Sequence, residues 1–340
     1  MSKQCRVAPV VQSHTASATP TQGRFWSFAT SLLTLFVLLP TLGCGAPQAA
    51  SSSSVTPTGT SSETGSPSGD DPLQVVAAEN FWGSLAAQVG GDKVKVTSLI
   101  TSPDTDPHDY EPKPTDARLM ASARYVILNG AGYDPWGQKL LESNPVGDRK
   151  ALIIGDLVGK KEGDNPHLWY NPNYVMQVID QITADFKELD PADAAYYDQE
   201  RAEFIAVGLK DYLGTIAAIK QKYSGTPVGT TESIFAYLAE PLGLKLLTPA
   251  KFMNAVSEGE EPTAIDKSAV DQQLTQKQIK VLVFNAQNAT PDTDALTQKA
   301  KTAGIPIVPV TETLTPANAS FQEWQTAQLK ALEAALAEAK

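Results

Sequence analysis

The chain has 340 residues, 42% of them hydrophobic and 19% charged, enough for two ordinary domains or one large one. Its 38 acidic side chains outnumber 27 Lys and Arg and leave a net charge of −11. Such a surface is a poor partner for a polyanion, so nucleic-acid binding is not expected. Two cysteines, Cys5 and Cys44, cannot build a disulfide framework or a Cys-rich zinc module. The only histidines are His14, His108 and His167, which restricts where imidazole chemistry can occur.

Residues 1–24 carry Lys3, Arg6 and Arg24 and no acid, and residues 25–42 (FWSFATSLLTLFVLLPTL) form the longest apolar run. A basic start, an apolar stretch and small residues after it describe an export signal. Gly43-Cys44 closes the run, so residues 1–43 read as a lipoprotein-type signal and Cys44 as the lipidation site. Thr41 stands where such signals usually carry leucine, and an ordinary signal or an uncleaved anchor are the other readings of the same run. Residues 44–72, rich in Ser, Thr, Gly and Pro, lack the apolar content to fold and are expected to be a disordered tether.

From residue 73 onward, short β-branched runs alternate with amphipathic stretches. In the first part the pattern predicts strands at Leu73–Ala78, Lys93–Ile100, Tyr125–Leu128 and Ala151–Ile154. Helices are predicted at Phe81–Val89 and Pro114–Ala123. Asp190-Pro191 is a suitable cap and first turn for a long helix ending at Gly225, with Tyr197, Phe204, Leu209, Tyr212, Leu213, Ile216 and Ile219 at helical spacing. Roughly 30 residues at 1.5 Å each give a rod of about 45 Å. Beyond it, strands are predicted at Pro227–Thr231, Lys245–Leu247, Ile279–Phe284 and Pro306–Thr311. Helices are predicted at Ile234–Leu242, Thr263–Lys277 and Asp292–Ala303. A last helix from about Phe321 to Ala339 should pack Phe321, Trp324, Leu332 and Leu336 against the second half. The alternation predicts an α/β fold, with two Rossmann-like lobes of parallel four-stranded sheets joined by one long rigid helix. The lobes would be residues 73–190 and 225–340, with the linking helix at 191–224.

His108 and His167 sit in similar settings, Asp106-Pro107-His108-Asp109 and Asp164-Asn165-Pro166-His167. Each follows a strand by a short loop and is stiffened by the preceding proline. Nearby acid or amide groups could take the second ring N–H, as metal-binding histidines require. Either one alone reads as a hydrogen-bonded loop histidine; the pair in one lobe points to a ligand set. Glu232 and Glu312 each directly follow a predicted strand of the second lobe, where open parallel sheets bind ligands. Each alone reads equally well as a partner of a helix N-terminus. Two histidines from one lobe and two carboxylates from the other would make a four-ligand transition-metal site in the cleft between lobes. Asn129-Gly130-Ala131-Gly132 lacks the third glycine of a dinucleotide fingerprint, and Glu258-Gly259-Glu260-Glu261 reads as a solvated acidic loop. Tyr133 and Trp136 read as core or cleft wall.

Six blocks, DPHDYEP (106–112), NGAGYDPW (129–136), DNPHLW (164–169), TESIFAYLAEPLGL (231–244), SEGEEPT (257–263) and VTETL (310–314), resemble in order and spacing the metal-binding solute-binding lipoproteins of bacterial zinc and manganese ABC importers. The resemblance implies two α/β lobes joined by one long helix, with the metal held between them by His108, His167, Glu232 and Glu312. It also implies a monomer, exported and held at the outer face of the cytoplasmic membrane or in the periplasm, that hands its ion to an ABC permease and ATPase. Zinc-importing relatives often carry histidine at the third position and a His-rich acidic loop; this chain has Glu232 and no such loop. Manganese-type relatives usually end the set with Asp; here it is Glu312, one methylene longer. Oxygen ligands tilt the site toward Mn²⁺ and the imidazoles suit Zn²⁺, so the cargo is expected to be Zn²⁺ or Mn²⁺. The alternative from another class is an exported metal-dependent hydrolase using the same ligands, with Glu111 or Glu232 recast as general base. An adhesin role, sometimes attributed to this family, has no support in the residues.

Overall fold

The computed structural model describes residues 71–105, 107–108 and 110–339. The expected export signal, Cys44 and the tether up to residue 70 lie outside the described residues. Among the described residues no helix is long and apolar enough to cross a membrane.

In chain order the first lobe runs β1 (Leu73–Glu79), α1 (Asn80–Gly90), β2 (Val94–Ile100), α2 (Pro114–Ser122), β3 (Tyr125–Leu128), α3 (Pro135–Ser143), β4 (Lys150–Ile153), α4 (Ile154–Leu157) and α5 (Pro172–Leu189). Its strands are all parallel, in the order β2-β1-β3-β4, with Val75 paired to both Val96 and Tyr125. The end of β1 and all of β3 are buried, as a sheet covered on both faces requires. Helix α5 was not anticipated, although its signals are present. Asn171 caps the Asn173 N–H, Pro172 opens the first turn, and Val175, Val178, Ile179, Ile182 and Phe186 form one buried stripe.

The connection between lobes departs from the single expected helix. Pro191–Asp193 forms one 3₁₀ turn, then α6 (Ala194–Glu203) and α7 (Lys210–Tyr223) flank a five-residue π turn at Phe204–Gly208. There the Leu209 N–H donates to the Phe204 carbonyl at 2.8 Å, one residue farther back than in an α-helix. The ring of Phe204 lies against Gly208, where a Cβ would stand 2.6 Å from Cδ2, so the wider turn makes room for a buried side chain.

The second lobe follows as β5 (Pro227–Thr230), α8 (Ala236–Ala239), β6 (Lys245–Leu246), α9 (Ala250–Ser257), α10 (Ala264–Thr275), β7 (Val281–Asn285), α11 (Pro291–Ala303), β8 (Ile307–Val310) and α12 (Phe321–Glu338). Its sheet, β6-β5-β7-β8, is again parallel and repeats the order of the first.

One continuous apolar core runs through both lobes, from Val75 and Ile127 to Val283 and Val310. At the junction the Phe81 ring lies 4.2 Å from Trp169 and 6.3 Å from Trp324 between centroids. Helix α12 therefore does not pack against the second lobe alone. Its start reaches the first lobe, where the Phe321 N–H donates to Ser84 Oγ at 2.9 Å. Its later turns place Leu329 and Leu332 beside Val308 and Val310. Trp324 also donates from Nε1 to Thr311 Oγ1 at 2.8 Å, next to Glu312. Trp324→Ala should lower stability by about 3–5 kcal/mol, the usual cost of emptying a large aromatic site, measured as a shift of the urea unfolding midpoint.

Candidate metal centre

All strands of a parallel sheet end on the same edge, and in the second lobe β7 lies between β5 and β8. Glu232 stands two residues past β5 and Glu312 two residues past β8, so their carboxylates approach across two strand spacings, roughly 10 Å of backbone. Asn285 ends β7 between them. Its Nδ2 donates to Glu232 Oε1 at 3.0 Å and to Glu312 Oε1 at 2.7 Å. Its own carbonyl accepts from the Gln287 N–H at 2.9 Å, which orients the amide with its donors toward the acids. The far oxygens are also met. Tyr133 OH donates to Glu312 Oε2 at 2.9 Å, and Asn288 Nδ2 donates to Glu232 Oε2 at 3.1 Å. Gln287 Oε1 accepts the backbone N–H groups of Glu312 and Thr313 at 2.6 and 3.0 Å and holds that loop.

Glu232 and Glu312 are 1% and 8% exposed. Burial and the facing charge of Glu312 push the Glu232 carboxyl up to about 8, against the donors from Asn285, Asn288 and Ser257. The two acids therefore hold a proton at neutral pH until a cation displaces it.

His167 is 1% exposed. Its Nδ1 lies 2.7 Å from Asn165 Oδ1, and Asn165 Nδ2 donates to the Ser233 carbonyl at 2.8 Å, fixing which end of that amide faces the ring. Nδ1 thus carries the hydrogen, and Nε2, buried and with no hydrogen-bond partner, presents its lone pair. Burial and then the nearby His108 hold the imidazole well below its ordinary value, so it is neutral and ready to bind a cation. One ligand atom from each of His167, Glu232 and Glu312 lies within 4.8 Å of the others. Ligand atoms 2.0–2.2 Å from a shared ion stand roughly 3–4 Å apart, so a small contraction completes the set.

Of the four sequence-predicted ligands the structure brings these three together. His108 does not join them. It is exposed in the loop between β2 and α2, its ring edge-on to Tyr133 at 4.6 Å between centroids. It lines the same cleft as Glu312 and lies close enough for its charge to act on His167.

Three residues that complete the site were missed in the sequence. Tyr133 was placed in the core or wall; it crosses between lobes to bind Glu312. Its signal was the discarded block at 129–132, in which Gly130, Ala131 and Gly132 all take positive φ (70°, 53° and 82°) to turn the chain and present the phenol. Trp136 belongs to the core, packed in one cluster with Met120 and Leu128, and donates from Nε1 to the Pro107 carbonyl at 3.0 Å, next to His108. Asn285 and Asn165 had no signal of their own, since a strand-end or loop asparagine has many uses. Above the trio opens a cleft of about 970 Å³, far larger than an ion, lined by Asp104, Glu162, Asp164 and Glu258 and, among the described residues, by no Lys or Arg. That lining favours the approach of a cation.

Because the folded Glu232 value lies above the ordinary 4.5, the metal-free fold is favoured at low pH and weakens as pH rises toward about 8. Loading a divalent ion at about pH 6.5 should release close to one proton, and at about pH 9 close to none. Titration calorimetry in buffers of different ionisation enthalpy measures this. Asn285→Leu should leave the acids without their shared donor and weaken metal binding about 10–100-fold, read by competition with a chromogenic chelator.

Comparison with known proteins agrees with this geometry. A family model described as zinc-uptake complex component A, periplasmic, matches residues 75–335. An iron-binding protein of Yersinia pestis is 29% identical over 187 residues, 51% of this chain and 58% of that protein, so the match spans less than two thirds of its length. A manganese-binding lipoprotein of Bacillus subtilis is 26% identical over 259 residues, 73% of this chain and 82% of that one. The fold is shared with a manganese-bound periplasmic metal-binding protein of Candidatus Liberibacter asiaticus, at a TM-score of 0.64 and 19% identity, over 78% of this chain and all of that one. With the family model covering most of the chain, this protein belongs to the zinc-uptake complex component A, periplasmic, family.

Proposed function

We propose that this protein captures a divalent first-row ion, Mn²⁺ or Zn²⁺, outside the cytoplasm and hands it to a membrane permease driven by an ATPase. The observation that carries the reading is the buried His167 Nε2, without a hydrogen-bond partner, facing two buried carboxylates. A lone pair and two acids gathered out of water need a cation to balance them. His167, Glu232 and Glu312 are the inner ligands, and His108 swings from the cleft wall past Tyr133 to supply the fourth. Two carboxylates and two neutral imidazoles suit Mn²⁺ by hardness and Zn²⁺ by affinity.

Four protein ligands leave no position reserved for a reactive water, so the ion is cargo. Family membership likewise gives the hydrolase alternative no support. Residues 1–43 are the export signal, Cys44 the acylated residue and 44–72 the tether. Once the signal is removed, the acylated Cys44 holds a monomeric body, its lobes at 73–190 and 225–340 joined through 191–224, beside its permease at the outer face of the membrane.

The test is elemental analysis with competitive titration of the purified chain, stripped and refilled with Mn²⁺ or Zn²⁺. One equivalent should bind. His167→Ala and Glu312→Gln should each weaken it by about 100-fold or more, and His108→Ala by about 10–100-fold, since a lost ligand costs at least as much as a lost supporting bond. Binding that survives all three substitutions would rule out the assignment.

A further inference from the structure

Beneath the centre lies a second pair of carboxyl groups that metal binding does not use. Glu79 ends β1 and Asp134 precedes α3, and they are 0% and 1% exposed. Asp134 is well supplied with donors: Gly130 N–H reaches Oδ1 at 2.8 Å and Asn129 N–H reaches Oδ2 at 2.7 Å. Glu79 has none, and neither of its oxygens is met by a hydrogen-bond partner. Ala77 pairs with Ile127 across β1 and β3, so Glu79 stands level with Asn129, whose N–H is held by Asp134, and Asp134 is the charged group that acts on it. An ionised carboxylate without donors, out of water and beside a second negative charge, is far too costly to persist. The low-energy arrangement places the single charge on Asp134 and the proton on Glu79, whose O–H then has Asp134 as its acceptor. Burial acts in the same sense on both groups, raising Asp134 to about 6 and Glu79 well above the ordinary range.

What the pair holds is the first-lobe side of the metal centre. The two N–H groups bound by Asp134 open the turn at 129–132 that presents Tyr133 to Glu312. Asn129 in turn donates from Nδ2 to the Pro166 carbonyl at 2.9 Å, one residue before His167, and accepts from Trp82 Nε1 at 3.1 Å. Next to Glu79, Asn80 Oδ1 accepts the Leu314 N–H at 3.3 Å, two residues beyond Glu312. One buried acid pair thus braces the Tyr133 turn and the His167 loop together.

We propose that Glu79 is a neutral carboxylic acid donating to Asp134, and that this proton-sharing pair positions the Tyr133 turn and the His167 loop for the metal. The positioning half rests on the metal-binding reading above; the proton half does not.

Three variants of the full chain separate them. Glu79→Gln keeps a donor toward Asp134, Glu79→Ala removes it, and Glu79→Met fills the volume without a donor should the alanine variant not fold. The infrared spectrum of the wild type minus Glu79→Gln should show the lost C=O stretch of a protonated acid. Amide exchange at Asn129 and Gly130 should stay slow with Gln and quicken with Ala or Met. Mn²⁺ affinity, by chelator competition, should stay within about threefold with Gln and fall about tenfold or more with Ala or Met. Absence of the protonated-acid band, or equal exchange in all variants, would overturn the proton-sharing pair whether or not metal binds. Intact Mn²⁺ affinity in the Met variant would overturn its positioning role. A wild type that binds no Mn²⁺ or Zn²⁺ would instead overturn the proposed function, and with it the positioning half alone.

Discussion

Two glutamates buried side by side, with a neutral imidazole facing them, set the terms for the rest of this structure. Such a group of acceptors is unfavourable out of water unless donors or a cation answer it. The protein answers in part with amides and hydroxyls. Asn285 bridges both acids, Asn288 supports one and Tyr133 the other. A shared proton supplies what is missing while no ion is present. These donors are neutral, so they orient the acids without cancelling the negative charge that draws a divalent ion. A lysine in the place of Asn285 would have neutralised the acids and competed with the cargo.

The centre draws on both lobes, and its geometry therefore depends on how the lobes are held. A continuous core crosses between them, anchored by Phe81, Trp169 and Trp324, and α12 packs on both sides of the junction. Hydrogen bonds add register: Tyr133 to Glu312, Asn165 to Ser233, Tyr170 to Thr311 and Asn80 to Leu314. Large apolar junctions of this kind resist hinge motion. Adjustment is left to short segments, among them the exposed loop that carries His108.

Symmetry of construction explains why each lobe contributes as it does. Both sheets have the order edge, first, third, fourth strand, and both put their chemistry at the carboxyl ends. In the second lobe those ends carry Glu232, Asn285 and Glu312. In the first they carry Glu79 and the Asn129–Asp134 turn, whose Tyr133 reaches across to Glu312.

Much of this was legible in the chain alone. Parallel strands buried on both faces appear as unbroken apolar runs such as Tyr125–Leu128, and their spacing by helices forces the doubly wound lobes. Glutamates just after two strands, and histidines stiffened by prolines, were visible because strand ends and proline loops are local features. The π turn at Phe204–Gly208 was hidden, since it arises from where a buried phenylalanine ring must lie against its own helix. Local sequence made His108 the equal of His167, whereas the structure leaves the first exposed and buries the second. Asn285, Asn165 and the Glu79–Asp134 pair were invisible, because an amide or a buried acid acquires its role only from the partner facing it. Composition, period and strand-end position are properties of neighbours along the chain, and they determined the fold and which side chains stand at the strand ends. How the two acids are bridged, how Asn165 is turned toward His167 and what Tyr133 meets were decided by contacts between residues 53 to 179 positions apart, and only the tertiary structure brings those together.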